Sequence, residues 1–172
     1  MKILITGTKG LAQQLASVYE EHDVTNVSLV TGHDIHKINK WGHQFLEYDC
    51  IFNCAYNGVG QQLVLEYFYQ HWKSDSSKSI VTIGSKAVTQ PSADITLGNS
   101  YWPYCIHKQT LQLMYDNMWH TACCDLKIIN PGAFDTAMVA HLDIAKFSLY
   151  ELASRIKDIT NDSALKRVDL WL

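Results

Sequence analysis

An excess of charge of either sign is missing from this sequence. Lysine and arginine together number 14 and aspartate and glutamate 17, a formal net charge of -3 with neutral histidines. A chain so balanced lacks the basic surface that nucleic acid or an anionic membrane requires, and neither is expected as a partner. Long apolar runs are missing too. Ile3-Leu4-Ile5 is too short for the core of a signal peptide, and no run approaches the roughly 18 apolar residues of a membrane span. No C-x-x-C pair occurs, and the five cysteines (50, 54, 105, 123 and 124) are an odd count. Reduced thiols in a cytoplasmic protein are expected rather than a disulfide framework. No repeat, low-complexity tract or linker divides the 172 residues, so one domain over 1–172 is expected. The apolar share of 47% and charged share of 18% are those of ordinary globular chains, which excludes disorder, collagen and coiled coil.

What is present is alternation. Short apolar runs predict strands at Lys2–Thr6, Val27–Thr31, Cys50–Ala55, Ser79–Gly84 and Leu126–Asn130, with a further one over 165–170. Helical patterns lie between them: Leu11–Glu21, a short stretch near 38–47, Gln61–Lys73, Tyr104–His120, and a stripe of Leu149, Leu152, Ala153 and Ile156. Buried strands alternating with helices predict an α/β fold, a doubly wound Rossmann-type parallel sheet with helices on both faces. Two of the helices, 61–73 and 104–120, are apolar around much of their circumference. They predict burial within the subunit or a homodimer or homotetramer interface.

The first strand runs into Thr6-Gly7-Thr8-Lys9-Gly10-Leu11 and then a helix. Gly7 permits a tight turn, and Gly10 lets backbone amides approach a diphosphate at the helix N-terminus. Gly7, Thr8, Lys9, Gly10 and Leu11 are therefore candidate cofactor residues. The usual third glycine of such a turn is absent, and Gln13 stands in its place. Sites for NAD carry an acid at the end of the second strand. Here the predicted strand ends Val30-Thr31-Gly32-His33, with no acid before Asp34. With Lys9 available to a 2′-phosphate, NADP(H) is favoured over NAD(H), and Asp34-Ile35 is a candidate cap for the adenine.

Tyr104 and Lys108 are four apart on a predicted helix and share a face. An ammonium beside a phenol stabilises the phenolate and brings the tyrosine within reach of carbonyl–alcohol proton transfer. Tyr69 and Lys73 have the same spacing but precede the next strand, at the end of the sheet away from any ligand site. Ser85 ends the strand before Tyr104, at the carboxyl edge where open α/β sheets bind ligands.

In this order the motifs resemble those of the short-chain dehydrogenase/reductase family, over nearly the whole chain. Thr6-Gly7 with Gly10 resembles its cofactor turn. Asn53-Cys54-Ala55 resembles its Asn-x-Ala strand end. Ser85, Tyr104 and Lys108 match its catalytic set, and Asn130-Pro131-Gly132 through Thr136 resembles its Pro-Gly segment. The resemblance implies that Tyr104 exchanges a proton with the substrate oxygen, Lys108 tunes it and holds a ribose, and Ser85 orients the substrate. It implies that Asn53 and Ala55 flank the cofactor, that Pro131, Gly132 and Thr136 meet the nicotinamide, and that Asn57 stands nearest to the family's relay asparagine. A small-molecule carbonyl or alcohol is the implied substrate. The chain is shorter than typical members. Too few residues separate Thr31 from Asp49 for the family's third strand and helix, so that strand is expected to be missing or vestigial. Asp34-Ile35 is also similar to the corresponding dipeptide of sugar-nucleotide reductases. A dinucleotide-binding sensor or structural protein without turnover is the alternative reading, and a nucleotide-binding methyltransferase a more distant one. His33 and His36 are spaced as a metal pair but have no further ligand nearby in sequence, and no metal is expected. Cys123-Cys124 read as packing thiols, His107 as structural, and Trp102-Pro103 as pocket lining or helix packing.

Overall fold

Successive side chains of a strand point to opposite faces of its sheet, so a strand apolar on both faces needs a helical layer on each side. A computed structural model, describing residues 1–88, 101–135 and 145–170, shows how this chain meets that need. Six parallel strands form one sheet in the order β2-β1-β3-β4-β5-β6. They are β1 (Lys2–Thr6), β2 (Asp23–Val27), β3 (Cys50–Asn53), β4 (Ser79–Ile83), β5 (Asp125–Pro131) and β6 (Arg167–Leu170). Ile3, Ile5, Phe52, Val81 and Ile129 pack against α1 (Leu11–Val18) and α5 (Leu149–Asn161). Leu4, Ile51, Ile80 and Ile128 pack on the other face against α3 (Gly60–Trp72) and α4 (Tyr101–Met118). The expected Rossmann-type α/β architecture is what the chain adopts. Among the described residues no helix is long and apolar enough to cross a membrane.

Two expectations about the middle of the chain change. The second strand is Asp23–Val27, four residues before its predicted place, and Leu29–Thr31 is a 3-10 turn. The apolar pair Leu29-Val30 misled: these residues are 71% and 88% exposed. β2 is an edge strand held by its register, Lys2 against Asp23 through Thr6 against Val27, and by Asn26, whose amide donates to the carbonyls of Gly7 and Ala12. It therefore needs no apolar run. Among the described residues, none between Val27 and Cys50 forms a strand, as the short spacing implied.

The second change concerns α3. Its apolar residues are covered by the chain itself. Turns at Ile35–Lys37 and Gly42–Phe45, with the short α2 (Ile38–Trp41) between them, lie against it and bury Ile35, Ile38, Trp41 and Phe45. The approach is close at two glycines. A Cβ on Gly42 would lie 2.5 Å from the Tyr67 ring, and one on Gly60 2.5 Å from Ile35. Val64, Leu65, Phe68 and Trp72 are thereby buried without a second subunit. The exposed apolar stripe lies on α4, where Trp102, Ile106 and Leu113 share one face.

β5 carries a lysine with no exposed surface. Lys127 Nζ donates to the carbonyls of Asp162 (2.7 Å) and Leu165 (3.0 Å) and pairs with Asp125 at 3.0 Å. It fastens the turn between α5 and β6 to the sheet.

Candidate functional site

Between β1 and β2 the chain moves to one side of β1, and β3 lies on the other. Ligands of open α/β sheets bind at the carboxyl edge of such a reversal. The turn after β1 has the backbone this requires. Gly7 (φ 109°) and Gly10 (φ 58°) both adopt left-handed conformations, and a Cβ on Gly7 would lie 2.9 Å from that of Ala12. Among the described residues, a Cβ on Gly10 would meet nothing within 4 Å, so that face of the turn is open there. No side chain caps α1, whose first amides remain available to a diphosphate. Gln13, in place of the third glycine, is exposed; Ala12 makes the close packing instead. Leu11 is buried and Lys9 exposed. The residue following β2 is Ser28, whose hydroxyl accepts from Thr8 Oγ1 at 3.3 Å. With β2 relocated, the strand end still carries no acid. This cradle fits a dinucleotide.

Asp34 is the N-cap of the turn at Ile35–Lys37. Its carboxylate accepts from the His36 amide at 3.0 Å and pairs with Lys37 at 3.5 Å, while its carbonyl accepts from the Trp41 indole. It caps the segment that covers α3.

Thr6 ties β1 to β3. Its hydroxyl accepts the amides of Cys54 (2.9 Å) and Ala55 (3.0 Å), which is why β3 ends at Asn53, earlier than predicted. Ala55 is half-buried at this edge. Asn53 is fully buried and its amide donates to the Gln61 carbonyl at 2.8 Å, so it lies beneath the cleft rather than lining it.

Ser85 follows β4. Its backbone amide donates to Asn130 Oδ1 at 3.1 Å, and Asn130 Nδ2 donates to Gln112 Oε1 and Asp169 Oδ1, each at 2.9 Å. Pro131 and Gly132 continue from Asn130, and the Gly132 amide donates to the Leu170 carbonyl at 2.9 Å. Thr136 and the loop 90–99 lie outside the described residues.

Tyr104 sits in the first turns of α4, half-buried, its ring 4.9 Å from that of Tyr56 and edge-on to it. Pro103 is tolerated there because a first-turn residue lacks an intrahelical amide partner. Lys108 is 4% exposed, with Nζ 5.7 Å from the Tyr104 ring centre and 5.6 Å from that of Tyr56. Tyr104 and Lys108 are thus brought together as their spacing implied. The Tyr56 hydroxyl lies 3.0 Å from His107 Nδ1.

Asn57 follows Tyr56 at the rim of this pair. It is exposed, and its carbonyl accepts from the Gly60 amide at the start of α3. A side chain that bonds Lys108 directly is Gln61, whose Oε1 accepts from Nζ at 2.7 Å. The sequence held a signal for it: two consecutive amides, Gln61 and Gln62, open an otherwise apolar helix directly after the Asn-x-Ala segment.

Burial lowers Lys108 to about 7, opposed by the nearby Cys54 thiol. An unfolded lysine titrates near 10.4. Between these values the unfolded chain holds the extra proton, so stability rises with pH, by up to about 1.4 kcal/mol per unit. The buried thiols act oppositely. Desolvation raises Cys50 and Cys54 to about 12 and Cys124 to about 11. Unfolded thiols ionise first, from about pH 8.5, and stability falls above it. Denaturant titrations are expected to show a maximum between roughly pH 8 and 9. Lys108→Met should flatten the rise and leave the fall. A flat wild-type profile from neutrality to the maximum would refute the buried lysine.

No protein-family model matches the chain, and no curated protein does. Solved structures do. The 3-alpha-hydroxysteroid dehydrogenase of Pseudomonas sp. B-0831, solved with NADH, is similar with a TM-score of 0.72 and 18% identity, over 98% of this chain and 95% of that one. A short-chain dehydrogenase of Burkholderia cenocepacia J2315, solved with NADP, gives 0.77 and 13%, over 100% and 90%. A short-chain dehydrogenase/reductase of Vibrio parahaemolyticus gives 0.73 and 14%, over 98% of each. The chain has the fold of the short-chain dehydrogenases.

Proposed function

We propose that this chain is a nicotinamide-dinucleotide-dependent oxidoreductase interconverting a carbonyl and a secondary alcohol on a small molecule. The observation that carries this reading is Lys108, buried beneath Tyr104 at the carboxyl edge of the sheet that also holds the open Gly7–Gly10 turn. A protein that only bound a dinucleotide would have no use for a phenol set over a buried amine. The dinucleotide, when bound, supplies or accepts the hydride. The amides of residues 7–11 would hold its diphosphate, Ala55 would border it, and Pro131, Gly132 and Thr136 would meet its nicotinamide end. Its adenine end would reach toward Asp34. Tyr104 gives its hydroxyl proton to the substrate oxygen in reduction and takes the alcohol proton in oxidation. The Lys108 ammonium stabilises the phenolate so formed. Ser85 donates to the substrate oxygen and holds it before Tyr104.

Lys9 and the uncharged Ser28 favour NADP(H), since a 2′-phosphate there meets a cation and no carboxylate. Calorimetric titration of the wild type is expected to give tighter binding of NADPH than of NADH. Lys9→Ala should weaken NADPH about tenfold, the worth of one hydrogen bond to a charged group, and leave NADH nearly unchanged. Equal losses would remove Lys9 from the phosphate site, and absence of binding of either would overturn the reading.

The five free thiols suit the cytoplasm. The exposed stripe on α4 suits a homodimer or homotetramer. Leu113→Glu is expected to halve the sedimenting mass at micromolar concentration, and a wild-type monomer would reject assembly.

A further inference from the structure

The parallel ladder between β3 and β4 ends at the pair Asn53 and Thr82. Beyond it the strands separate, and backbone carbonyls at the separation need donors. Gln61, 1% exposed and second in α3, fills the gap. Its Nε2 donates to the carbonyls of Asn53 and Ile83, each at 2.7 Å, and its Oε1 accepts from Lys108 Nζ at 2.7 Å. Its own carbonyl accepts from Asn53 Nδ2. The amide cannot be turned around, because two carbonyl acceptors face one end and an amine faces the other. Lys108 Nζ also donates to the Ile83 carbonyl at 2.8 Å.

We propose that Gln61 is the positioning residue of this site: its amide draws the Lys108 nitrogen into the split between β3 and β4 and fixes it under Tyr104. This rests on the reading of Tyr104 and Lys108 as the reacting pair. Two of the three donors of the ammonium are spent on uncharged acceptors below it, which leaves one for the cleft above. Because neither acceptor is charged, they offset the desolvation of the amine only in part, as does the neighbouring Cys54, and its proton is held loosely. Gln61 thereby sets the pH range in which Lys108 is an ammonium able to support the Tyr104 phenolate. A carboxylate in its place would hold that proton more firmly. An apolar side chain would leave the amine one acceptor short.

Two readouts test this on the full-length chain: the Lys108 titration, followed by NMR of 13C-labelled lysine side chains, and the pH profile of kcat/KM. Gln61→Met is expected to move both downward by about one pH unit, and Gln61→Glu to move both upward by at least as much. Dinucleotide affinity should stay within about twofold of the wild type. Activity losses in both variants with both titrations unmoved would make Gln61 merely structural and overturn the proposal. Should neither variant fold, the wild-type titration decides. A Lys108 signal at the ordinary lysine pH would overturn the proposal, and one near neutrality would support it. The NMR titration needs no turnover, so it stands or falls separately from the oxidoreductase reading, which an inactive wild type would remove.

Discussion

Tyr104→Phe is expected to lower kcat/KM for carbonyl reduction by about two to four orders of magnitude, the usual worth of a positioned proton donor. The substitution removes one oxygen and little else. The ring keeps its edge-on contact with Tyr56 at 4.9 Å, and Lys108 keeps its place 5.7 Å from the ring centre. Its bonds to Gln61 and Ile83 involve no atom of Tyr104. NADPH affinity should therefore stay within about twofold of the wild type. A loss confined to turnover isolates the phenolic proton. If the variant reduces substrates at the wild-type rate, the proton comes from elsewhere and Tyr104 is a packing residue. If affinity collapses together with turnover, the phenol serves binding instead.

Gly84→Ala is expected to be the most destabilising single methyl that can be added near the site. A Cβ at this position would fall inside the radius of Asn130 Oδ1, with Asn130 Cγ 3.0 Å and Ile128 Cγ1 3.3 Å away. Asn130 cannot swing aside cheaply, because it has no exposed surface and its amide is spoken for at both ends by Ser85, Gln112 and Asp169. Displacing it strands buried donors and acceptors at about 1–3 kcal/mol each, and overpacking adds about 1–3 kcal/mol. A total loss of about 3–5 kcal/mol is expected, against the 5–15 kcal/mol typical of a domain. At about 2–4 °C per kcal/mol for a chain of this size, the melting temperature should fall by roughly 10 °C or more. Adding Asn130→Ala removes the obstructing atoms. The double variant should then lose less than the sum of the single losses, the mark of two residues in contact. Additive losses, or a Gly84→Ala melt unchanged from the wild type, would show that the two do not compete for one space.

The parts of this molecule written in local patterns were legible in the sequence. Ile3-Leu4-Ile5 before Gly7 and Gly10 could only be a buried strand entering a turn, and Tyr104 with Lys108 shows its common face in its spacing. The parts decided by partners far along the chain were not. β2 is polar because an edge strand needs register and a few side-chain bonds rather than apolar residues, so the exposed Leu29-Val30 drew the prediction away from it. The apolar girth of α3 suggested a subunit interface, whereas residues 35–45 supply the cover. Asn57 was offered only by its resemblance to the family's relay asparagine. Gln61 bonds Lys108 because the start of α3 sets it over the gap between β3 and β4.

The bond from Asp169 to Asn130 sets an order of completion during synthesis. The dinucleotide half of the cleft uses β1, its glycine turn and the end of β3, all of which exist once the chain has passed Ala55. The Ser85 half also needs β6, the last of these strands in the sequence, because Asn130 donates to Asp169 there. On the proposed reading, completion of the glycine turn and completion of the Ser85 edge are separate milestones.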